Sequence, residues 1–394
     1  MPDMARLSVV RDATAVVGVG ETHYARDYAA VRAGMPRTDA YGYAAAALRA
    51  ALDDSGLALS DIDGLIAGPT LASERLGEVL GIDTRWADQA DAVNAVAKAV
   101  TAIHAGLAEC VALVYGNDQR AAGTRYGGPG AMGAEKHLAY TYFAPWGLTS
   151  QGALYALMAN GYMAQTGLTE EELGAYVVAQ RRFAQLNDRA VMRRDLTIAA
   201  YLAGEGICDP LRIFDYCLIN DGGVALIVTT AERAATMDVV PVLVRGIGRS
   251  DQNRSSTSLA PRLLDFYRPA HEEAAEQVYA MAGVSPGDID SVQVYDSFSI
   301  HVPTALDGFG FCPPGEPGAL ARDGVLGPGG RLAVNTSGGH LSESYMQGWN
   351  HQVEAVRQAR GDAGKRQVSG TVHTQYISDV AGKTMSIVYA RGCS

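Results

Sequence analysis

ALDDSGLALSDIDGLIAG at residues 51–68 and VYAMAGVSPGDIDSVQVYD at residues 278–296 spell one pattern twice: a helix end, a glycine, an apolar residue, a short linker, Asp-Ile-Asp and a strand. Gly56 and Gly283 stand where a helix C-terminus favours a left-handed residue, and each aspartate-rich turn leads into an apolar run. Upstream of each copy lies a second shared feature. AVVGVGETHY, from Ala15, and VLVRGIGRSD, from Val242, are apolar runs ending in Gly-x-Gly, at Gly18 and Gly20 and at Gly246 and Gly248. Two coincidences in the same order indicate a duplicated unit.

Each half therefore reads strand, helix, strand, then a glycine-containing loop, a long helix and another strand. In the first half the long helix is AVNAVAKAVTAIHAG, small and apolar on every face and so expected to be buried all round. The strand CVALVYGND follows, continuously apolar as a strand covered on both faces should be. In the second half the equivalent helix is expected to begin near Tyr345, to run through MQGWNHQVEAVRQAR and to precede VSGTVHT. The fold class is α/β, a duplicated layered αβαβα arrangement with residues 1–240 as one half and 241–394 as the other. An insertion of about residues 119–215 interrupts the first half with helical loop-domain character. Within it, TEEELGAYVVAQRRFAQLNDRAVMRRD opens on a threonine cap and an acidic first turn, then carries Arg181, Arg182, Arg189, Arg193 and Arg194. This is the densest basic stretch of the chain, and it reads either as a solvated helical face or as a phosphate-binding patch.

With 394 residues, 48% hydrophobic and 19% charged, the chain can bury more than one ordinary core. A net charge of −11 argues against nucleic acid or an anionic membrane surface as the main partner. Cys110, Cys208, Cys217, Cys312 and Cys393 are widely spaced and form no CxxC pair, which fits reduced thiols better than a disulfide framework or a zinc cluster. No apolar run of membrane-spanning length occurs and the N-terminus lacks a signal-peptide pattern, so the expected location is cytoplasmic.

Two motif matches fail on inspection, and a third motif is absent. GVGETH at Gly18 would begin a dinucleotide fingerprint, but His23 occupies the place of the third glycine. GVSPG around Ser285 matches a nucleophile elbow, yet it follows a helix, and Pro286 has no N–H to offer an oxyanion. The eight histidines contain no HExxH, and no metal site is expected in this chain.

With its duplication, its insertion and NTSGGHLSESYMQGWNH at residues 335–351, the chain resembles the thiolase superfamily in its lipid-transfer-protein-like branch, over essentially its whole length. Thiolases carry a cysteine nucleophile at the start of the first buried helix, a histidine in an NEAF- or HDCF-type motif, and a second histidine after a Gly-Gly pair. Here the first position falls at Gln89 to Asp91, where there is no cysteine. YDSF at 295–298 puts Tyr295 in place of one histidine, and counting from Asn335 through Gly338 and Gly339 puts Tyr345 in place of the other. YDSF, GGHLSESYMQGWN and the intervening GFC at 310–312 are similar to the steroid side-chain-cleaving aldolases of this branch, whose motifs read YD.F and GG.L.E.Y..G.N. The resemblance implies retro-aldol cleavage of a β-hydroxyacyl-CoA, a homodimeric core, and a partner subunit with an OB-fold and a zinc ribbon. Any zinc would belong to that partner.

The residues themselves fit that chemistry. Claisen cleavage needs a thiolate to take the acyl group, whereas a retro-aldol reaction needs only two acid/base groups and a place for the enolate. Tyr345 is expected to take the β-hydroxyl proton and Tyr295 to donate to the enolate, or the reverse. Asp296, His340 and His373 are their expected orienting or polarising neighbours. Amides at a helix start near Tyr345, with the Gly338-Gly339 turn, would favour a phenolate or an enolate. Gly338, Gly339, His340 and His373 are also expected to contact the substrate, and Arg193 and Arg194 are the candidates for the phosphates of an acyl-CoA. Two other readings stand beside this one: a diverged acyltransferase using a displaced cysteine such as Cys312, and a noncatalytic acyl-CoA- or sterol-binding module.

Overall fold

A computed structural model describes residues 8–36, 38–124, 144–146, 150–251, 268–380 and 383–392. Its strands are β1 (Thr14–Glu21), β2 (Gly64–Ala67), β3 (Trp86–Gln89), β4 (Cys110–Asp118), β5 (Gly206–Cys208), β6 (Leu211–Arg212), β7 (Asp221–Thr230), β8 (Val242–Asp251), β9 (Ser291–Val294), β10 (Ala333–Val334), β11 (His373–Val380) and β12 (Lys383–Arg391). Ten of them form one sheet in the order β10-β9-β11-β12-β8-β1-β7-β4-β2-β3. Read outward from its centre, the order is the same in both directions: β1-β7-β4-β2-β3 on one side, β8-β12-β11-β9-β10 on the other. The two sides meet through a short antiparallel contact, Ala15 opposite Leu243 and Val16 opposite Val242.

Side-chain alternation along the strands sorts the core into three layers. In β4, Val111 and Leu113 face the middle layer, while Ala112 and Val114 face outward. The middle layer holds the two inner helices, Ala92–His104 and Trp349–Arg360, between strand faces of both halves. Outer helices Ala40–Ser55 and Arg268–Ala282 cover the far faces. The layered αβαβα reading holds. The repeated Gly-x-Gly has a packing reason instead of a cofactor one. A Cβ on Gly20 would lie 2.1 Å from the Ala47 carbonyl, and one on Gly248 would lie 2.0 Å from that of Ala274, so each outer helix rests directly on strand backbone. Gly56 caps its helix at φ 71°, and Gly283 has φ 68°.

Between β4 and β7 run the helices Gln151–Thr166, Glu170–Gln185 and Ile198–Leu202 and the β5-β6 hairpin. Thr169 and Glu172 close a capping box at the start of the second helix, as the threonine and acidic turn predict. Of the arginines in and just after this helix, Arg181 is buried on the Ser342 hydroxyl, Arg189 donates to the carbonyls of Glu21 and Thr22, and Arg182, Arg193 and Arg194 are exposed.

One boundary differs from the sequence reading. The second inner helix begins at Trp349, capped by Gly348 at φ 87°, and a separate short helix spans Gly339–Ser342. Tyr345 lies in the loop between them. The Gly348 amide turns back to His340, which fixes the helix start later than the apolar pattern suggests.

Candidate active site

β9 is buried along its length between β10 and β11, and its C-terminal end delivers Tyr295 and Asp296 to the inner layer. Tyr295 keeps the register by donating its amide to the Ile377 carbonyl at 2.8 Å. The second motif is fastened to this strand end by Asn335, whose Oδ1 accepts from the Val294 amide at 2.6 Å and whose Nδ2 donates to the Val294 carbonyl at 3.0 Å. A side chain thus continues the ladder. The chain then turns through Gly338 (φ 107°) and Gly339 (φ 60°). A Cβ on Gly338 would meet Ala184 at 2.6 Å and one on Gly339 would meet Asp296 Oδ2 at 2.3 Å, so both positions require glycine for space as well as for φ.

This route brings Tyr295 and Tyr345 together. Their hydroxyls lie 3.1 Å apart. The ring of His340 packs beneath the pair, edge-on to Tyr295 at 4.8 Å and to Tyr345 at 4.9 Å between centroids, and against His351 at 4.3 Å. Asp296 lies at the base of the cluster and is fully buried. Its Oδ1 accepts from the His340 amide at 2.8 Å and from His351 Nε2 at 2.9 Å; its Oδ2 makes no hydrogen bond among the described residues, although the Leu341 amide lies where it favours the ionised form. The acceptor that the amide after the Gly-Gly turn serves is therefore the Asp296 carboxyl, where the sequence reading placed a phenolate or enolate.

Burial dominates the titration of the cluster. It lifts Tyr295 well above an ordinary phenol, with the neighbouring Tyr345 adding to the rise. It raises Asp296 above the usual carboxylate value against the His351 hydrogen bond, and it drives His340 well below an ordinary imidazole. Tyr295 is thus a neutral hydrogen-bond donor at physiological pH, and His340 is a neutral ring.

Asp296, His340 and His351 also have the composition of a two-histidine, one-carboxylate metal site, with ligand atoms within 4.8 Å of one another. The hydrogen bonds oppose that use. Gly348 donates its amide to His340 Nε2 at 2.9 Å, so the neutral ring carries its proton on Nδ1, the atom that faces Asp296 at 3.5 Å. A cation on Nδ1 would force the proton onto Nε2, against the Gly348 N–H. The trio fits a hydrogen-bonded cluster better than a metal centre.

Other predicted site residues fall elsewhere. His373 opens β11 on the His373–Ala390 pairing, with its amide on Asp290, whereas Tyr295 lies beyond the Ile377–Val294 pairing at the other end of the strand. At about 3.3 Å per residue this separation exceeds roughly 10 Å, and His373 is not a neighbour of the tyrosines. Gly338, Gly339 and His340 are buried behind the phenols and shape the site from within, where the sequence reading gave them a substrate contact. Arg193 and Arg194 follow directly on Val191 and Met192, whose amides donate to the carbonyls of Glu343 and Ser342, so both arginines stand exposed beside the Tyr345 loop. Cys312 is buried in the outer layer, its thiol pushed up to about 12 by burial.

Sequence reasoning missed five residues. Asn220 accepts from the Tyr345 amide at 2.7 Å and donates to Ser344 Oγ at 2.7 Å, and Asn117 donates to the Tyr345 carbonyl at 3.3 Å. Both precede an aspartate, in YGND and LIND; this repeated Asn-Asp was the available signal. Glu343 accepts from Asn187 and Asn350, at 2.8 and 2.9 Å. The segment around Cys217 is laced to both motifs, Cys217 N to the Ser297 carbonyl at 3.0 Å and Leu218 N to the His340 carbonyl at 3.1 Å. The Cys217 thiol feels the Asp296 charge, but burial first of all pushes it up to about 12, leaving it a weak nucleophile near neutrality. His351 directly follows the GWN that ends the second motif, and this adjacency was its available signal. At Gln89 to Asp91, Asp91 caps the first inner helix on the Asn94 amide, and no thiol is present.

Comparison with known proteins agrees with this architecture. The family described as thiolase C-terminal domain-like matches residues 253–389. A steroid side-chain-cleaving aldolase of Thermomonospora curvata is 32% identical over 90% of this chain and 92% of its own. The 17-hydroxy-3-oxo-4-pregnene-20-carboxyl-CoA lyase of Mycobacterium tuberculosis is 29% identical over 95% of this chain and 98% of its own. The solved structure of an Ltp2-ChsH2(DUF35) aldolase superposes with a TM-score of 0.86 at 28% identity, covering 97% of this chain and 99% of that one. The chain belongs to the thiolase superfamily. Within it, the chain is a member of the family of the steroid side-chain-cleaving aldolases, which are lyases.

Proposed function

We propose that this protein cleaves the Cα–Cβ bond of a β-hydroxyacyl-CoA by a retro-aldol reaction, with a steroid side-chain thioester as the substrate class. The observation that carries the reading is the 3.1 Å contact between the hydroxyls of Tyr295 and Tyr345 in a site without a reactive thiol. Tyr345, the more exposed of the two, takes the β-hydroxyl proton and passes its own to Tyr295. Tyr295 gives its proton to the α-carbon as the Cα–Cβ pair departs to that carbon. The β-carbon leaves as a ketone, and the α-carbon leaves as a shortened acyl-CoA. Each phenol oxygen receives one proton as it releases another, so neither ring has to persist as a buried phenolate, which is costly. Asp296 acts as a positioning residue, and Gly338, Gly339 and His340 build the wall beneath the phenols. No cofactor is needed for this step.

The exposed pair Arg193 and Arg194 is suited to the phosphates of the CoA, because two guanidiniums on a segment bonded to the Tyr345 loop would anchor the thioester's tail near the reacting end. A homodimer, and a DUF35-type partner with an OB-fold and zinc ribbon, complete the assembly in this reading. The solved Ltp2-ChsH2(DUF35) aldolase, whose name joins two proteins, supports the second of these. The place of action is the cytoplasm; among the described residues no helix is long and apolar enough to cross a membrane.

The test is carbon–carbon cleavage of a β-hydroxyacyl-CoA by Tyr295→Phe and Tyr345→Phe, purified with the partner where one co-purifies. Each is expected to lose on the order of 100-fold or more in kcat. Turnover like that of the unaltered protein in both variants would overturn the mechanism.

A further inference from the structure

His351 is unused by the chemistry above, yet it is fully buried within the cluster that supports it. Its Nε2 lies 2.9 Å from Asp296 Oδ1, while its Nδ1 has no hydrogen-bond partner. With a carboxylate as the partner, Nε2 is the donor and the ring is held in one tautomer. The same Oδ1 receives the His340 amide at 2.8 Å, and His340 in turn touches both phenol rings. A single oxygen therefore joins the second inner helix to the short helix that leads to Tyr345. The geometry points to His351 as a positioning residue of the aldol site: its Nε2–H keeps Asp296 an anionic acceptor, and Asp296 then holds the His340 ring beneath Tyr295 and Tyr345. This inference rests on the retro-aldol reading and adds to it a residue outside the family motifs.

The charge balance around Asp296 explains why a donor is needed there. Of the titratable groups facing it, His340 is neutral, Cys217 and Tyr376 are uncharged acids held up by burial, and Tyr295 is a neutral phenol. No guanidinium or ammonium is bonded to it among the described residues. The two amides and His351 are the groups that favour its ionised form. Without His351 the buried carboxyl would take up a proton at higher pH, and the protonated acid would grip the His340 and Leu341 amides more weakly.

The experiment compares His351→Gln and His351→Leu with the unaltered full chain, reading kcat and KM separately across about pH 5 to 9, with thermal unfolding by circular dichroism as a check on folding. Activity that depends on ionised Asp296 falls as pH drops through the folded pKa of that group. His351→Leu is expected to move this acid limb to higher pH and to lower kcat on the order of 10- to 100-fold at neutral pH, with KM nearly unchanged. His351→Gln offers an amide N–H in place of Nε2–H and is expected to recover most of kcat and the original limb. Equal loss in both variants with no movement of the acid limb would overturn the inference, as would full activity in His351→Leu. Should His351→Leu fail to fold, Asp296→Asn supplies the second measurement: its kcat is expected to lose the acid limb, and an unchanged limb overturns the inference. Tyr295→Phe and Tyr345→Phe, assayed alongside, separate this outcome from failure of the aldol reading, since their loss of turnover does not depend on His351.

Discussion

The two halves start their inner helices in opposite ways. In the first, β3 ends at Gln89 and the helix begins at Ala92, with Asp91 accepting from the Asn94 amide at 3.0 Å. That is an ordinary cap, and it stands where the superfamily's cysteine would be. In the second half β10 ends at Val334 and the helix waits until Trp349, the intervening segment carrying Gly338, the short helix with Gly339 and His340, and Tyr345. Its cap, Gly348, offers no side chain, and its amide serves His340. One duplicated junction has become structural while the other holds the chemistry. A shared core of apolar layers tolerates this because helix starts lie at the sheet edge, where changing a few residues leaves the packed faces intact.

The contrast can be broken most severely at the phenols. Tyr295→Phe and Tyr345→Phe should each remove activity by roughly 100-fold or more, and the double variant should lose little beyond either single one, because a relay fails when either member is missing. Steady-state turnover of the three variants checks this. Gly348→Ala comes next. A Cβ there would lie 2.2 Å from Tyr376 Oη and 2.9 Å from Tyr295 Cδ2 at φ 87°, so a stability loss of about 1–3 kcal/mol should accompany a fall in kcat, read by denaturant unfolding and by assay.

Glu343 sharpens the comparison through pH. Burial, followed by the charges of Glu21 and Glu354, raises its carboxyl to about 8, against hydrogen bonds from Asn350 and Ser337. The folded value lies above the unfolded one, so its stabilisation is complete below about pH 4.3 and is lost as pH rises towards about 8. The melting temperature of Glu343→Gln should therefore depend less on pH between about 5 and 8 than that of the unaltered chain. The smallest effect is expected in the first half. Asp91→Ala removes a cap worth about 1 kcal/mol and should leave kcat within about threefold. A loss of activity at Asp91 comparable to that at Gly348 would erase the distinction between the two junctions.

The sequence by itself determined the duplication, the left-handed glycine caps and the absence of a thiol at residues 89–91; the resemblance to the thiolase superfamily is what singled out Tyr295 and Tyr345. Each is a short-range pattern of periodicity, cap chemistry or motif spacing, and such patterns survive in a linear reading. Only the tertiary structure decided which groups surround the tyrosines. The decisive contacts join residues 50, 55, 125 and 228 positions apart: Tyr295 with Tyr345, Asp296 with His351, and Asn220 and Asn117 with the backbone of Tyr345. His373 was set aside and His351 brought in for the same physical reason. A polar side chain's partner depends on which strand end and helix start meet in space, and that meeting is set by layers of apolar packing, which carry no local mark at the polar residue itself.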